Sequence, residues 1–166
     1  MRIIVNDSSA LIDLKKGGLL EIFVELPFEF VVSGAIVADE LLSFTRGEIA
    51  FMRRKMAVVT LSGEEMTRVR ELQLSSPVLS LHDCSSLVIA QREVGCILLT
   101  GDRRLRAKAE AARVECHGIL WVVDEIAKAK LASSKALLKA LEAWRDDSTV
   151  HLPSAELSRT INRFKR

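Results

Sequence analysis

Short runs of apolar, mostly β-branched residues recur along the chain at positions 3–5, 28–32, 57–61 and 96–100, with a weaker one at 114–116. Runs of this length, bounded by polar residues or glycine, predict strands. Longer amphipathic segments lie between them. The first opens after Ser8-Ser9 and stops at Gly17-Gly18, and residues 19–26 continue as a second helix before Pro27. Residues 35–44 predict the next helix. Ser62-Gly63-Glu64-Glu65 has capping-box spacing and opens a helix that ends before Pro77, while residues 80–83 open another that ends at Gly95. Residues 103–113 supply one more. Strands alternating with helices require crossover connections, so the pattern predicts an α/β fold with a parallel sheet of about five strands, covered on both faces.

After His117-Gly118 the pattern turns helical only, with helices expected at 119–131, 134–144 and 154–165. The last of these read as a helical extension offering a surface to a second copy or a partner. No repeat, low-complexity tract or linker divides the 166 residues. A single domain follows, with its core in residues 1–130 and the extension in 131–166.

Composition changes this picture little. Lys plus Arg number 24 against 22 for Asp plus Glu, a formal charge of +2 that neither demands nor excludes a nucleic-acid partner. Ile3, Ile4 and Val5 are too few for a signal core before Asn6-Asp7. No stretch approaches the roughly 18 uncharged apolar residues of a bilayer crossing, so a cytoplasmic protein without a membrane partner is expected. Cys84, Cys96 and Cys116 are odd in number and far apart, and His82, His117 and His151 are equally scattered. The thiols read as reduced and mostly buried, and any metal here needs oxygen ligands.

The carboxylates carry the chemistry. Open α/β sheets bind ligands beyond the carboxyl ends of their strands, at the switch in strand order. Asp7 follows the first strand directly, and Asp102 follows the 96–100 strand after Gly101. Both are also in the place of helix N-caps. Helical phase places two more. On the 35–44 helix, Ile36, Val37, Leu41 and Phe44 form an apolar arc that includes Glu40 and excludes Asp39. On the helix after Ser80, the arc of Cys84, Leu87, Ala90 and Val94 includes Asp83. Local roles are open to both: Asp83 as the capping-box partner of Ser80, Glu40 as an ion-pair partner of Arg46 or Arg53. Carboxylates converging at one edge repel by roughly 3 kcal/mol per pair at about 5 Å and an effective dielectric near 20. A hard cation with oxygen ligands, Mg²⁺ or Mn²⁺, offsets that cost.

Asp7 in Ile-Ile-Val-Asn-Asp-Ser-Ser, Glu40 in Val-Ala-Asp-Glu-Leu-Leu, Asp83 in Leu-His-Asp-Cys-Ser-Ser-Leu-Val-Ile-Ala and Asp102 in Leu-Leu-Thr-Gly-Asp resemble, in order, the four acidic motifs of PIN-domain ribonucleases. Over roughly residues 1–130 the chain is similar to VapC-type toxins of toxin–antitoxin pairs. The resemblance implies a PIN-like three-layer fold with strand order 3-2-1-4-5. It also implies metal-dependent hydrolysis of single-stranded RNA, a homodimer and a small antitoxin that blocks the site. Gly101 and Arg103 depart from the family, where many relatives carry Asn before the last acid and an aromatic just after it.

On this reading Asp7, Glu40, Asp83 and Asp102 are the catalytic and metal-binding set, supporting phosphodiester hydrolysis by a metal-activated water. Asp7, Asp83 and Asp102 are assigned as ligands, direct or through water; Glu40 serves a second metal or orients water. Ser8 and Thr100 can hydrogen-bond a carboxylate or phosphate, though both also suit turns and caps. Arg103, Arg104 and Arg106 crowd the first turns of a helix, where cations oppose the macrodipole, and so are candidates for phosphate contact. Arg53, Arg54 and Lys55 read as surface, and the basic tail at 159–166 as a possible meeting place for RNA or an acidic antitoxin. With no Tyr and only Trp121 and Trp144, little material exists for base stacking, and both tryptophans read as packing residues. The competing reading is a non-catalytic doubly wound module that binds a protein or nucleotide at the same edge. In that case the acids serve as caps and ion pairs and do not converge.

Overall fold

A computed structural model describes residues 1–165. The chain runs β1 (Ile3–Asn6), α1 (Ser8–Lys16), α2 (Leu20–Phe23), β2 (Glu29–Ser33), α3 (Gly34–Asp39), α4 (Arg46–Lys55), β3 (Ala57–Val59), α5 (Gly63–Ser75), α6 (Leu81–Ala90), β4 (Ile97–Leu99), α7 (Arg103–Ala111), β5 (Glu115–His117), α8 (Ile119–Lys128), α9 (Ser134–Asp146) and α10 (Ser154–Phe164). The strands form one five-stranded sheet, order β3-β2-β1-β4-β5, with every pairing parallel. Winding proceeds from β1 to β3 on one side and resumes with β4 on the other. The switch point therefore lies between β1 and β4, where Val5 faces Leu98 and Asn6 faces Leu99.

Strand alternation divides the core between the two sheet faces. Ile4, Ile97 and Leu99 join the cluster built with α1, α8, α9 and α10, whereas Val5 and Leu98 join α6 and α7 on the opposite face. The molecule is thus helix, sheet, helix. α6 is buried along Cys84 to Ala90, which explains its nearly continuous apolar sequence. Both capping boxes read in the sequence form: Ser62 with Glu65, and Ser80 with Asp83.

Three local expectations are corrected. The helix after Ser80 stops at Ala90, short of Gly95, and Val94, placed on its apolar arc, is exposed. The 35–44 helix stops at Asp39, and Glu40 is its C-cap. A tight turn follows, in which the amide of Leu41 donates to Ile36 O and that of Phe44 to Leu41 O. Leu41 and Phe44 still reach the core, so a turn folding back reproduced the burial pattern that helical phase had assigned. α4 had not been expected. Its signal is another capping box, Thr45 with Glu48, and Lys15 bonds both Ser43 O and Glu48 at 2.5 and 2.9 Å, fastening its start to α1.

The final helices turn their apolar faces inward. Leu137, Ala140, Leu141 and Trp144 of α9 and Leu157 and Ile161 of α10 all lie in the core. Trp144 Nε1 donates to Asp13 O at 2.7 Å, tying α9 to α1. Gly17 permits this approach, since a Cβ there would stand 2.7 Å from the indole. Of the basic tail at 159–166, Arg163 pairs with Asp124, Lys165 approaches Glu142 at 4.0 Å, and Arg166 lies outside the described residues. Among the described residues no helix is long and apolar enough to cross a membrane. Cys84 and Cys96 are buried, Cys116 is half-buried, and all are free thiols.

Candidate active site

Asp7 stands where β1 ends and α1 begins, in extended conformation at the N-cap position. Its amide donates to Leu99 O at 3.0 Å, extending the β1–β4 ladder by one residue. The side chain does not cap α1. Instead Oδ2 accepts from Ser9 Oγ at 2.7 Å and Thr100 Oγ1 at 2.9 Å. Oδ1 is buried and has no hydrogen-bond partner among the described residues, in a residue only 1% exposed.

A carboxylate in this position is poorly solvated. Burial drives the Asp7 carboxyl up from 3.8 to about 6; the Ser9 and Thr100 hydroxyls pull the other way, and the charges of Asp83 and Glu40 push it up again. These two acids arrive from different elements. Glu40 closes α3, half-buried, with Oε2 unpartnered and no ion pair to Arg46 or Arg53 among the described residues. Asp83 sits in the first turn of α6, where its Oδ2 accepts from the Ser80 amide at 2.7 Å. His82 Nε2 and Asp39 Oδ2, 3.4 Å apart, join the same two helices beside them.

Asp102 is held differently. Its Oδ1 accepts from the amides of Arg104 and Leu105 at 2.7 and 3.0 Å, a full N-cap of α7. Thr100 links it to Asp7, because the hydroxyl that donates to Asp7 also accepts from the Asp102 amide at 3.0 Å. Asp102 also lines a depression with Ser9, Asp13, Lys16 and His151. The acids thus fall into a group of Asp7, Glu40 and Asp83 that share an electrostatic field, and Asp102 joined to it by a hydroxyl. Among the described residues no three His, Cys, Asp or Glu side chains are close enough to enclose an ion alone.

Two residues to which the sequence assigns no functional role belong to the site. Ser9, and not Ser8, organises the site: its hydroxyl donates to Asp7, accepts from the Gly101 amide at 3.0 Å and lies 3.3 Å from Thr100 Oγ1. Asp13 is the second, an acid pushed up to about 6 chiefly by burial, against the charges of Lys16 and His151 and reinforced by Asp147. The available signal was helical spacing, since Ser9 and Asp13 are one turn apart on α1. Arg103 and Arg104 are exposed and Arg106 half-buried, its Nη2 3.4 Å from Thr100 O.

The donors fit a hard divalent cation. Two buried carboxylate oxygens, Asp7 Oδ1 and Glu40 Oε2, lack a hydrogen-bond partner among the described residues, and the available ligands are oxygens. Mg²⁺ suits such a site, for it commonly keeps several waters and takes only one or two protein carboxylates. An all-parallel 3-2-1-4-5 sheet with acids at its switch point is an α/β architecture consistent with the PIN fold. The chain belongs to a PIN-domain family: the model of DUF3368, a PIN domain, matches residues 3–166, through the last three helices. PIN domains are generally nucleases that use divalent metal ions. No curated protein matches the chain.

Proposed function

We propose that the protein is a Mg²⁺- or Mn²⁺-dependent endoribonuclease, the toxin of a toxin–antitoxin pair. The observation that carries the catalytic part is Asp7: a buried carboxylate at the switch point, with one oxygen unpartnered and two acids acting on it. Asp7 and Glu40 hold the ion, with Asp83 beside them. Asp102 would contribute through the carboxylate oxygen its cap leaves free. When bound, the ion supplies Lewis-acid stabilisation to a phosphodiester under attack by water.

The chain's own groups do the remaining work. Ser9 and Thr100 together fix the rotation of the Asp7 carboxylate, leaving Oδ1 as its ligating atom. The Ser80 cap does the same for Asp83. Arg103, Arg104 and Arg106 supply positive charge for RNA phosphates next to Asp102.

Incubation of single-stranded RNA with the protein and Mg²⁺ or Mn²⁺ tests this. Cleavage should stop with chelator and with Asp7→Asn; cleavage that survives either counts against the reading. The toxin role, with a small antitoxin, a homodimer and a cytoplasmic location, draws its support from the resemblance of the four acidic motifs. Growth arrest on expression, relieved by the small protein encoded next to it, is the expected result.

A second reading has its own observation. Asp83 and Asp102 each commit one carboxylate oxygen to a helix cap, as acids with a structural role do. A non-catalytic module binding a protein or nucleotide at this edge would show RNA binding or none, and no cleavage with either ion.

A further inference from the structure

On the β5 side of Asp102 a cavity of about 500 Å³ opens between the start of α7, the β5–α8 turn and residues 151–156. Its volume lies within the range of ordinary small-ligand sites. It shares Gly101 and His151 with the depression that Asp102 lines, so the two are continuous along one edge of the sheet.

One wall is aromatic and held in place. The His117 and Trp121 rings stack with centroids 4.4 Å apart and planes inclined by 11°. His117 Nε2 lies 2.8 Å from Glu115 Oε1, which fixes the imidazole, and Phe28 backs the indole at 5.8 Å. Trp121 is half-buried, packed against the core and lining the cavity, whereas Trp144 is fully buried. The other wall is cationic. Arg103 and Arg106 both line the cavity, and neither has a carboxylate partner among the described residues. Arg106 reaches only the carbonyl of Thr100, at 3.4 Å. Both stand in the first turn of α7, next to the Asp102 cap. Glu156 is the one carboxylate on the rim among the described residues, and it belongs to the first turn of α10.

From this juxtaposition we propose that the cavity binds one nucleotide unit, its base against the His117–Trp121 wall and its phosphate on Arg103 and Arg106. Planar π-systems and guanidinium groups recognise these two parts of a nucleotide. The assignment of that unit to an RNA strand rests on the nuclease reading: the strand passes Asp102 and places the nucleotide next to the cut in the cavity. The pocket itself does not depend on cleavage.

Tryptophan fluorescence of the full chain in chelator reads the site directly. Trp144 is 1% exposed, with its indole N–H bonded to Asp13, so a ligand in the cavity affects Trp121. Adenosine 5′-monophosphate should quench the emission saturably, and inorganic phosphate should not. Arg103→Ala and Arg106→Gln should each weaken the nucleotide about tenfold, as expected for loss of a charged phosphate contact. Trp121→Leu should abolish the quench; should that variant fail to fold, the exposed Arg103 keeps the test intact. Absence of saturable quenching, or quenching indifferent to both arginine variants, overturns the pocket. A short single-stranded RNA binding more tightly than the free nucleotide supports the strand assignment, and equal affinities overturn it. Quenching without any RNA cleavage leaves the pocket standing and removes the nuclease; cleavage without quenching does the reverse.

Discussion

The Thr100 hydroxyl donates to the Asp7 carboxylate at 2.9 Å across the seam between β1 and β4, and accepts the Asp102 amide at 3.0 Å. One side-chain oxygen thereby orients two of the four acids. Thr100→Val keeps the shape and removes both bonds, so it should destabilise the protein by about 1–3 kcal/mol, the cost of unpaired buried polar groups. Thr100→Ser should recover most of that in chemical denaturation.

Asp7 makes the empty site unfavourable. Its folded value of about 6 lies above the ordinary 3.8, so between these values the folded chain holds a proton that the unfolded chain releases. The stability of chelated protein should therefore fall as pH rises through that window. Asp7→Asn should remove the Asp7 share of the fall, leaving that of Asp13, which burial raises to about the same value, and the variant should be more stable than the parent at pH above about 7, by up to about 3 kcal/mol. The two proteins should converge at about pH 4, where the parent is protonated. Melting temperature against pH measures both curves.

A divalent ion should relieve the same cost. Only the folded chain puts Glu40 and Asp83 within electrostatic reach of Asp7, so millimolar Mg²⁺ or Mn²⁺ should raise the melting temperature by a few degrees, about 2–3 kcal/mol for an ion at about 100 times its dissociation constant. Asp7→Asn should lose the response. An unchanged melting temperature in the parent protein would weigh against a metal at this edge.

Gly17 tests whether the last helices are integral. A methyl group there would meet the Trp144 ring at 2.7 Å, and the ring is clamped by its bond to Asp13 O. Gly17→Ala should cost about 1–3 kcal/mol through overpacking. Tryptophan emission should move to the red as the indole is displaced, whereas Gly63→Ala, with open space around its Cβ, should leave emission unchanged.

Much of the fold was legible because its signals are local. Runs of β-branched residues marked the strands, Ser62 with Glu65 and Ser80 with Asp83 marked helix starts, and the acids after β1 and β4 fell at the edge where such sheets bind ligands. Helical phase pointed Glu40 inward, and its Oε2 is indeed buried, although the helix ends one residue earlier. Phase reports only which residues share a face; a turn that buries Leu41 and Phe44 looks the same to it. The start of α4 was written in Thr45 and Glu48, in the stretch between the expected 35–44 helix and the 57–61 strand to which no element had been assigned.

The chain by itself determined the alternation of strand and helix, the all-oxygen character of the candidate ligands and the places of its four acids relative to strand ends. Tertiary structure alone decided which carboxylate oxygens are left free. The state of Asp7 depends on Thr100, 93 positions away, and the Trp121 wall faces residues 151–156 only because α9 folds back onto α1. Propensity and periodicity act between near neighbours, whereas desolvation and the completion of hydrogen bonds are set by whatever packing brings alongside.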